Sequence, residues 1–405
     1  MNARVMLHDP DRHEPLASIE WDEDRARAAI AHIVQRTEAR FSPERYWPMH
    51  PRDADGGDDA PAYPLYHGAC GVIWALSHLA SIGVCAIERD YRDAVASLSK
   101  RNTRWLRSFG CTFDASYLMG DTGILLLAQR IDDTPATADR LVALIESNLD
   151  NPTRELMWGS PGTMLAALFL HARTNDDCFA ELFATIARTL WSQLEWSPRY
   201  DCAYWTQDMY GQRSTYLGAA HGFAATASVL IRGRHLLASP EWMQWQACIE
   251  NTVRRTATRE GDRANWPAWL ETRPGHAARL LMQLCHGAPG VVVCLGDVPG
   301  NGLDDLLLAG GEAVWHAGPL VKGSNLCHGT AGNGYAFLKL HRRTGSRQWL
   351  ARARAFAMHA IEQLYIEERR VGELRYSLWT GDLGLAIYLA DCIAGGDRFP
   401  TLDVF

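Results

Sequence analysis

Seven times along its 405 residues the chain repeats a Gly-x-x-Gly step that runs into an apolar stretch of about two helical turns. The copies are HGACGVIWAL at Gly68, GDTGILLLA at Gly120, GSPGTMLAAL at Gly159, HGFAATASVL at Gly222, HGAPGVVVCL at Gly287, HGTAGNGYAFL at Gly329 and GDLGLAIYL at Gly381, and the fourth has Ala225 in the second glycine place. Successive first glycines lie 52, 39, 63, 65, 42 and 52 residues apart, so each unit has room for two ordinary helices and their loops. An outer amphipathic helix paired with an inner, nearly all-apolar one cannot bury both its faces alone and must stack on neighbours. Seven units closing into a ring leave no exposed end. The expectation is therefore an all-α chain whose seven inner helices line a barrel and whose glycine-rich helix starts converge at one rim. Helical spacing is also present over 21–41, 136–148, 177–191, 242–256 and 348–365, and strand signals are sparse.

Residues 1–20 read as a polar, loosely held segment, and 21–405 as a single α/α-barrel domain. Within it, 42–66 forms a loop with five prolines and the acidic tip DADGGDD. A hydrophobic content of 47% is ample for a large core. No apolar run reaches the roughly 18–20 residues of a membrane span, and the start, MNARVMLHDPDRHEP, is charged where a secretory signal is greasy. The expected location is cytoplasmic. A formal charge of −7 argues against nucleic acid as a partner. The ten cysteines are spread out rather than crowded into a disulfide framework.

Two of the seven steps carry extra chemistry. LCHGAPGVV and LCHGTAGNG place Cys285-His286 and Cys327-His328 at matching positions, and thiolate with imidazole is a donor set that zinc selects. Adjacent residues on a helix point about 100° apart, so all four side chains do not reach one ion. Three ligands with an open place make a catalytic centre and four a structural one, and both remain open on spacing alone. His221 stands before Gly222 as His286 and His328 stand before their glycines, which makes it a candidate proton donor or acceptor. His67 holds the same place in the first step. Asp121 and Asp382 match each other in GDTG and GDLG, as helix caps or as working carboxylates. Lys322, five residues before Cys327, suits an anionic ligand, and Trp379 beside Gly381 suits a cavity wall. Converging helix N-termini, with unpaired N–H groups, favour anions and thiolates at the rim.

Between about residues 66 and 389, and most specifically in YLGAAHGFAAT, LCHGAPGVV and LCHGTAGNGYAFL, the chain resembles the lanthionine synthetase C-like family, including its glutathione-binding eukaryotic-type branch. The resemblance implies a double-layered α/α toroid of seven inner and seven outer helices. It implies Zn2+ held by Cys285, Cys327 and His328, with the fourth place left for water or a substrate thiol. His286 is then beside the site as a substrate contact, His221 acts in proton transfer, Lys322 contacts an anion, and Asp121 is the acidic residue of the second step. Ala225 and the 42–66 loop depart from the family pattern. The implied reaction is zinc-dependent addition of a thiol, from glutathione or a peptide cysteine, to dehydroalanine or dehydrobutyrine. Alternatives are a lanthipeptide cyclase acting on its peptide's own cysteine, a non-catalytic zinc- and glutathione-binding protein, and an α/α-barrel glycoside hydrolase using Asp121 and Asp382.

Overall fold

Every one of the seven glycine steps starts a helix. In the computed structural model, which describes residues 6–53, 60–271 and 280–405, fourteen α-helices alternate between two layers among the described residues. The odd-numbered helices are outer: α1 (Glu23–Arg40), α3 (Arg92–Ser108), α5 (Pro135–Ser147), α7 (Asp177–Ser192), α9 (Ser239–Thr256), α11 (Asp304–Ala317) and α13 (Arg347–Val371). The even-numbered ones are inner: α2 (Ala69–Ser81), α4 (Asp121–Ile131), α6 (Ser160–Thr174), α8 (Phe223–Arg232), α10 (Ala288–Leu295), α12 (Thr330–Thr344) and α14 (Asp382–Ala394). Each inner helix packs on the next, and α14 packs on α2, which closes the ring as a seven-plus-seven α/α toroid.

The two layers follow from residue pattern. All residues of α10 are buried, whereas α7 buries Phe179, Phe183, Ile186, Ala187 and Leu190 on one stripe and leaves its other face to solvent. Helices α3 and α11 have no counterpart among the helical segments expected from spacing. Strand is confined to three short antiparallel hairpins: β1–β2 (Glu195–Ser197, Cys202–Tyr204), β3–β4 (Gln207–Met209, Gln212–Ser214) and β5–β6 (Thr258–Glu260, Arg263–Asn265). Among the described residues, no helix is long and apolar enough to cross a membrane.

All seven inner helices have the first glycine of their step as N-cap, with no side-chain cap. In five of them an N–H at the helix start is instead taken by the carbonyl seven residues earlier, as in Cys70 N–H to Tyr63 O, Asp121 to Asp114, Ala224 to Leu217, Ala331 to Ser324 and Asp382 to Arg375, and at α10 Ala288 N–H donates to Asn265 Oδ1 (2.7 Å). The loop before these helices is thus folded back over the helix start. A Cβ on Gly71, Gly123, Gly162, Gly290, Gly332 or Gly384 would collide with the carbonyl oxygen six residues earlier. This corrects the expectation of a rim of unpaired N–H donors, because backbone carbonyls at five helix starts and Asn265 at α10 accept from them.

The residues two places before the first glycines are joined in turn around the rim. Tyr66 N–H donates to Leu118 O (3.0 Å), Leu118 to Met157 (3.2 Å), Cys285 to Cys327 (3.1 Å), Cys327 to Trp379 (2.8 Å) and Trp379 back to Tyr66 (3.0 Å). The series is interrupted after the third unit, where Met157 N–H donates to the Glu155 carboxylate (2.8 Å) instead.

The polar start is not loose over the described residues. Leu7 is buried, Glu14 N–H donates to Pro319 O, and the Glu14 carboxylate meets His359 Nε2 at 2.8 Å. The 42–66 loop is likewise anchored, through Trp47 Nε1 to Thr37 O (2.8 Å), Tyr46 Oη to Ala94 O (2.8 Å) and a two-point contact of Arg375 with Asp53. The rest of its acidic tip, 54–59, lies outside the described residues.

Gly332→Ala is expected to destabilise by ~3 kcal/mol or more in chemical denaturation, because the new methyl overlaps the Leu326 carbonyl. Ala225→Gly should cost only about 1 kcal/mol, the helix-propensity difference.

Candidate metal centre

The rim bond from Cys285 N–H to Cys327 O brings two residues of adjacent units side by side. With His328 they form a group whose ligand atoms all lie within 4.8 Å of one another, both cysteines buried and the histidine half-buried. Each sulfur has a fixed hydrogen-bond donor. Tyr66 Oη donates to Cys327 Sγ (2.8 Å), and Gln283 Nε2 donates to Cys285 Sγ (2.9 Å). Gln283 is oriented by Arg12 Nη2 on its Oε1 (2.6 Å), and the His328 N–H donates to Asn325 Oδ1 (3.0 Å).

The two sulfurs are electrostatically coupled. The mutual hydrogen bond of the two thiols pulls Cys285 well below its ordinary value and pushes Cys327 well above it, with burial opposing the first and reinforcing the second. Two buried sulfurs sharing one proton is what that describes. A divalent cation lets both ionise together, so this donor set fits a metal ion. Burial and the neighbouring Cys327 hold the Tyr66 phenol protonated, hence a standing donor.

On the other side of Cys285 stands His221. Its Nδ1 is 2.8 Å from Glu155 Oε2, and Glu155, wholly buried, also accepts from the N–H groups of Met157 (2.8 Å) and Trp158 (2.6 Å). Burial alone lowers the imidazole's proton affinity, but the Glu155 charge and hydrogen bond override it, Cys285 adds to them, and the net shift is upward. With Nδ1–H engaged by Glu155, Nε2 is the nitrogen left for exchange.

The centre opens on a cavity of about 940 Å³, whose walls include Tyr66, His67, Trp105, Trp158, Tyr210 and His328. The family model for lanthionine synthetase C-like proteins matches residues 61–404. The chain belongs to that family. It is 27% identical over 378 residues to the glutathione S-transferase LANCL1 of Danio rerio, spanning 87% of this chain and 86% of that protein. It is 28% identical over 263 residues to the LanC-like protein GCL1 of Arabidopsis thaliana, spanning 62% of this chain and 58% of that one. The solved structure of nisin cyclase shares the fold, with a TM-score of 0.59, 16% identity, and coverage of 94% of this chain and 97% of that one.

The other expected residues are placed variously in this LanC-like chain. His286 is stacked against Tyr216 (centroids 5.6 Å) and near Trp269 (6.3 Å), beside the metal group and outside it. Lys322 is exposed and close enough to Cys327 to act on its charge. Asp121 is turned to the outer layer, held by Ser99 of α3 and Arg140 of α5, and is not among the cavity walls. Asp382 is a local loop anchor, accepting from Arg375 N–H (2.8 Å) and Ser324 Oγ (3.3 Å), with burial raising it to about 6. His67 lines the cavity as a neutral ring, lowered to about 4 by burial. Trp379 is packed inside, with Nε1 on Thr401 Oγ1 (3.1 Å).

Glu155, Gln283, Asn325, Tyr66 and Arg12 were not singled out from sequence. A register signal existed for four of them: Glu155, Gln283 and Asn325 each stand four places before a first glycine, and Tyr66 stands two before, where Cys285 and Cys327 also stand. Arg12 carries no such mark.

Co2+ is expected to bind one-to-one with a thiolate charge-transfer band. Affinity should fall at least about tenfold in Cys327→Ala and remain unchanged in Asp121→Asn and His286→Ala, read by titration of absorbance.

Proposed function

We propose that this LanC-like protein is a zinc-dependent enzyme that adds the thiol of glutathione to dehydroalanine or dehydrobutyrine residues in a peptide or protein, forming a thioether. The observation that carries the reading is the juxtaposition of the Cys285–Cys327–His328 group, whose His328 lines the cavity, with a protonatable His221 that feels the Cys285 charge and meets the cavity wall at Tyr210 (ring centroids 6.2 Å). Zinc, held by those three residues, supplies the Lewis acidity that keeps a substrate sulfur ionised.

The chain's own residues supply the rest. Tyr66 and Gln283 donate to the two protein sulfurs, spreading their charge, and Arg12 fixes Gln283 in that pose. The substrate sulfur forms a bond to the β-carbon as the C=C π bond breaks, and the electron pair passes to the α-carbon and its carbonyl. His221, charged through Glu155, delivers a proton to the α-carbon, and the proton first lost by the thiol restores it, so the net change is addition of S–H across C=C. Free thiol is roughly 3% ionised at pH 7, so full ionisation gains at most about 30-fold, less the reduced nucleophilicity of a stabilised thiolate. Holding both partners in one cavity contributes more, through effective molarities orders of magnitude larger.

Lys322, exposed at the turn before the Cys-His step, is suited to a carboxylate of glutathione, and the name of the Danio rerio relative favours the same thiol. The hydrolase reading has no support in the placement of Asp121 and Asp382, both consumed by neighbouring loops and helices.

Mass spectrometry of a dehydroalanine peptide with zinc-loaded protein and glutathione should show one glutathione added, and the product should vanish with Cys327→Ala. A purely intramolecular ring on a cysteine-containing peptide, with no glutathione adduct, would shift the reading to a cyclase. Metal and glutathione binding without any product would make it a binding protein. In the pH profile, the alkaline limb reports loss of the His221 proton above the ordinary histidine value. Glu155→Gln removes the charge that favours imidazolium, so this limb should move to lower pH, and His221→Gln should abolish it.

A further inference from the structure

The barrel has a second cavity at the end away from the glycine rim, among the last turns of α4, α6 and α12 and the segment 397–405, enclosing about 830 Å³. Seven cationic side chains and three carboxylates line it. The carboxylates already have partners. Arg232 pairs with Asp403 and Asp297, and Lys339 reaches Asp297 (2.8 Å), Asp403 (2.9 Å) and Asp397 (3.2 Å). Arg130, Arg173, Arg234, Arg342 and Arg398 form no ion pair within 4.0 Å among the described residues, though Arg398 Nη2 donates to Asp403 O (3.1 Å), Arg234 Nη1 to Ile231 O (2.7 Å), and Asp133 acts on Arg173 as an opposite charge. In a chain of net charge −7 this is a local reversal of sign.

Three of these guanidiniums converge. Arg173 acts on Arg130 as a like charge, and both Arg130 and Arg398 act on His78. Arg130 is half-buried, and its Nη1 is buried with no hydrogen-bond partner while Nη2 has only Ser81 Oγ at 3.4 Å. Helix C-termini attract cations, but each carries only about half a charge, and crowding partly buried like charges costs energy that dipole compensation does not return. The facing wall is apolar, built from Leu126, Leu168, Phe169 and the Phe405 ring, which packs on Trp74, Tyr117 and Phe169.

We propose that this cavity binds a phosphate monoester with an apolar or aromatic body, the phosphate held by Arg130, Arg173 and Arg398 and the body lying against Leu168, Phe169 and Phe405. Guanidinium forks match phosphate oxygens two at a time, and a dianion answers several unpaired cations where a single carboxylate does not.

The test is calorimetric titration of the full chain with phenyl phosphate, inorganic phosphate and benzoate at fixed ionic strength. Phenyl phosphate should bind one-to-one and at least about tenfold tighter than inorganic phosphate, which lacks the body, or benzoate, which lacks the second charge. Arg173→Glu and Arg398→Glu, both at exposed positions, should each weaken it at least about tenfold, with and without zinc. No binding at millimolar phenyl phosphate, equal binding of benzoate, or variants that lower the melting temperature with affinity unchanged would overturn the proposal, the last because the arginines would then serve only the helix ends.

Discussion

The N–H of Cys285 donates to the carbonyl of Cys327, and the metal group depends on that one inter-unit bond. The bond is a consequence of loop geometry. In five of the seven units the loop folds back so tightly that an N–H at the helix start pairs with the carbonyl seven residues earlier, and in the unit of Cys285 the Asn265 side chain accepts from Ala288 N–H instead (2.7 Å). Two neighbouring units present cysteine two places before the glycine, and the closing of the ring brings Tyr66 of the first unit to the Cys327 sulfur through Trp379. Packing of glycine against carbonyl is therefore what sets the ligand spacing.

Where the rim series breaks, the chain places the Glu155–His221 pair. Met157 N–H turns to the Glu155 carboxylate, whose remaining capacity goes to Trp158 and His221. The Glu155 charge and hydrogen bond raise the proton affinity of His221 against the burial that lowers it. Gln283 and Asn325 stand in the register of Glu155, four places before the glycine, but there the rim bonds of Cys285 and Cys327 persist and the side chains meet Cys285 Sγ and the His328 N–H instead.

Much of this was legible from sequence because the repeat is punctuated by glycine. Gly68, Gly120, Gly159, Gly222, Gly287, Gly329 and Gly381 mark all seven inner helix starts, and α1, α5, α7, α9 and α13 overlap the segments with helical spacing. Helix α11 escaped because it is apolar on too many sides to show a stripe: eight of its residues are buried, including Gly310 and Gly311. The pairing of His221 with Glu155 escaped because 66 residues separate them and only the ring brings them together. Asp121 looked equivalent to Asp382, and the two do share a register, but side-chain direction at a helix start depends on which outer helix offers a partner. Ser99 and Arg140 draw Asp121 outward.

In the proposed function two distant cysteines and one histidine share a single ion and leave a place open. Zinc K-edge X-ray absorption on the reconstituted protein should then show two sulfur neighbours at about 2.3 Å and nitrogen or oxygen neighbours near 2.0–2.1 Å, with one light ligand replaced by a third sulfur when glutathione is added. A shell of only light atoms, or a closed shell unchanged by glutathione, would contradict that arrangement.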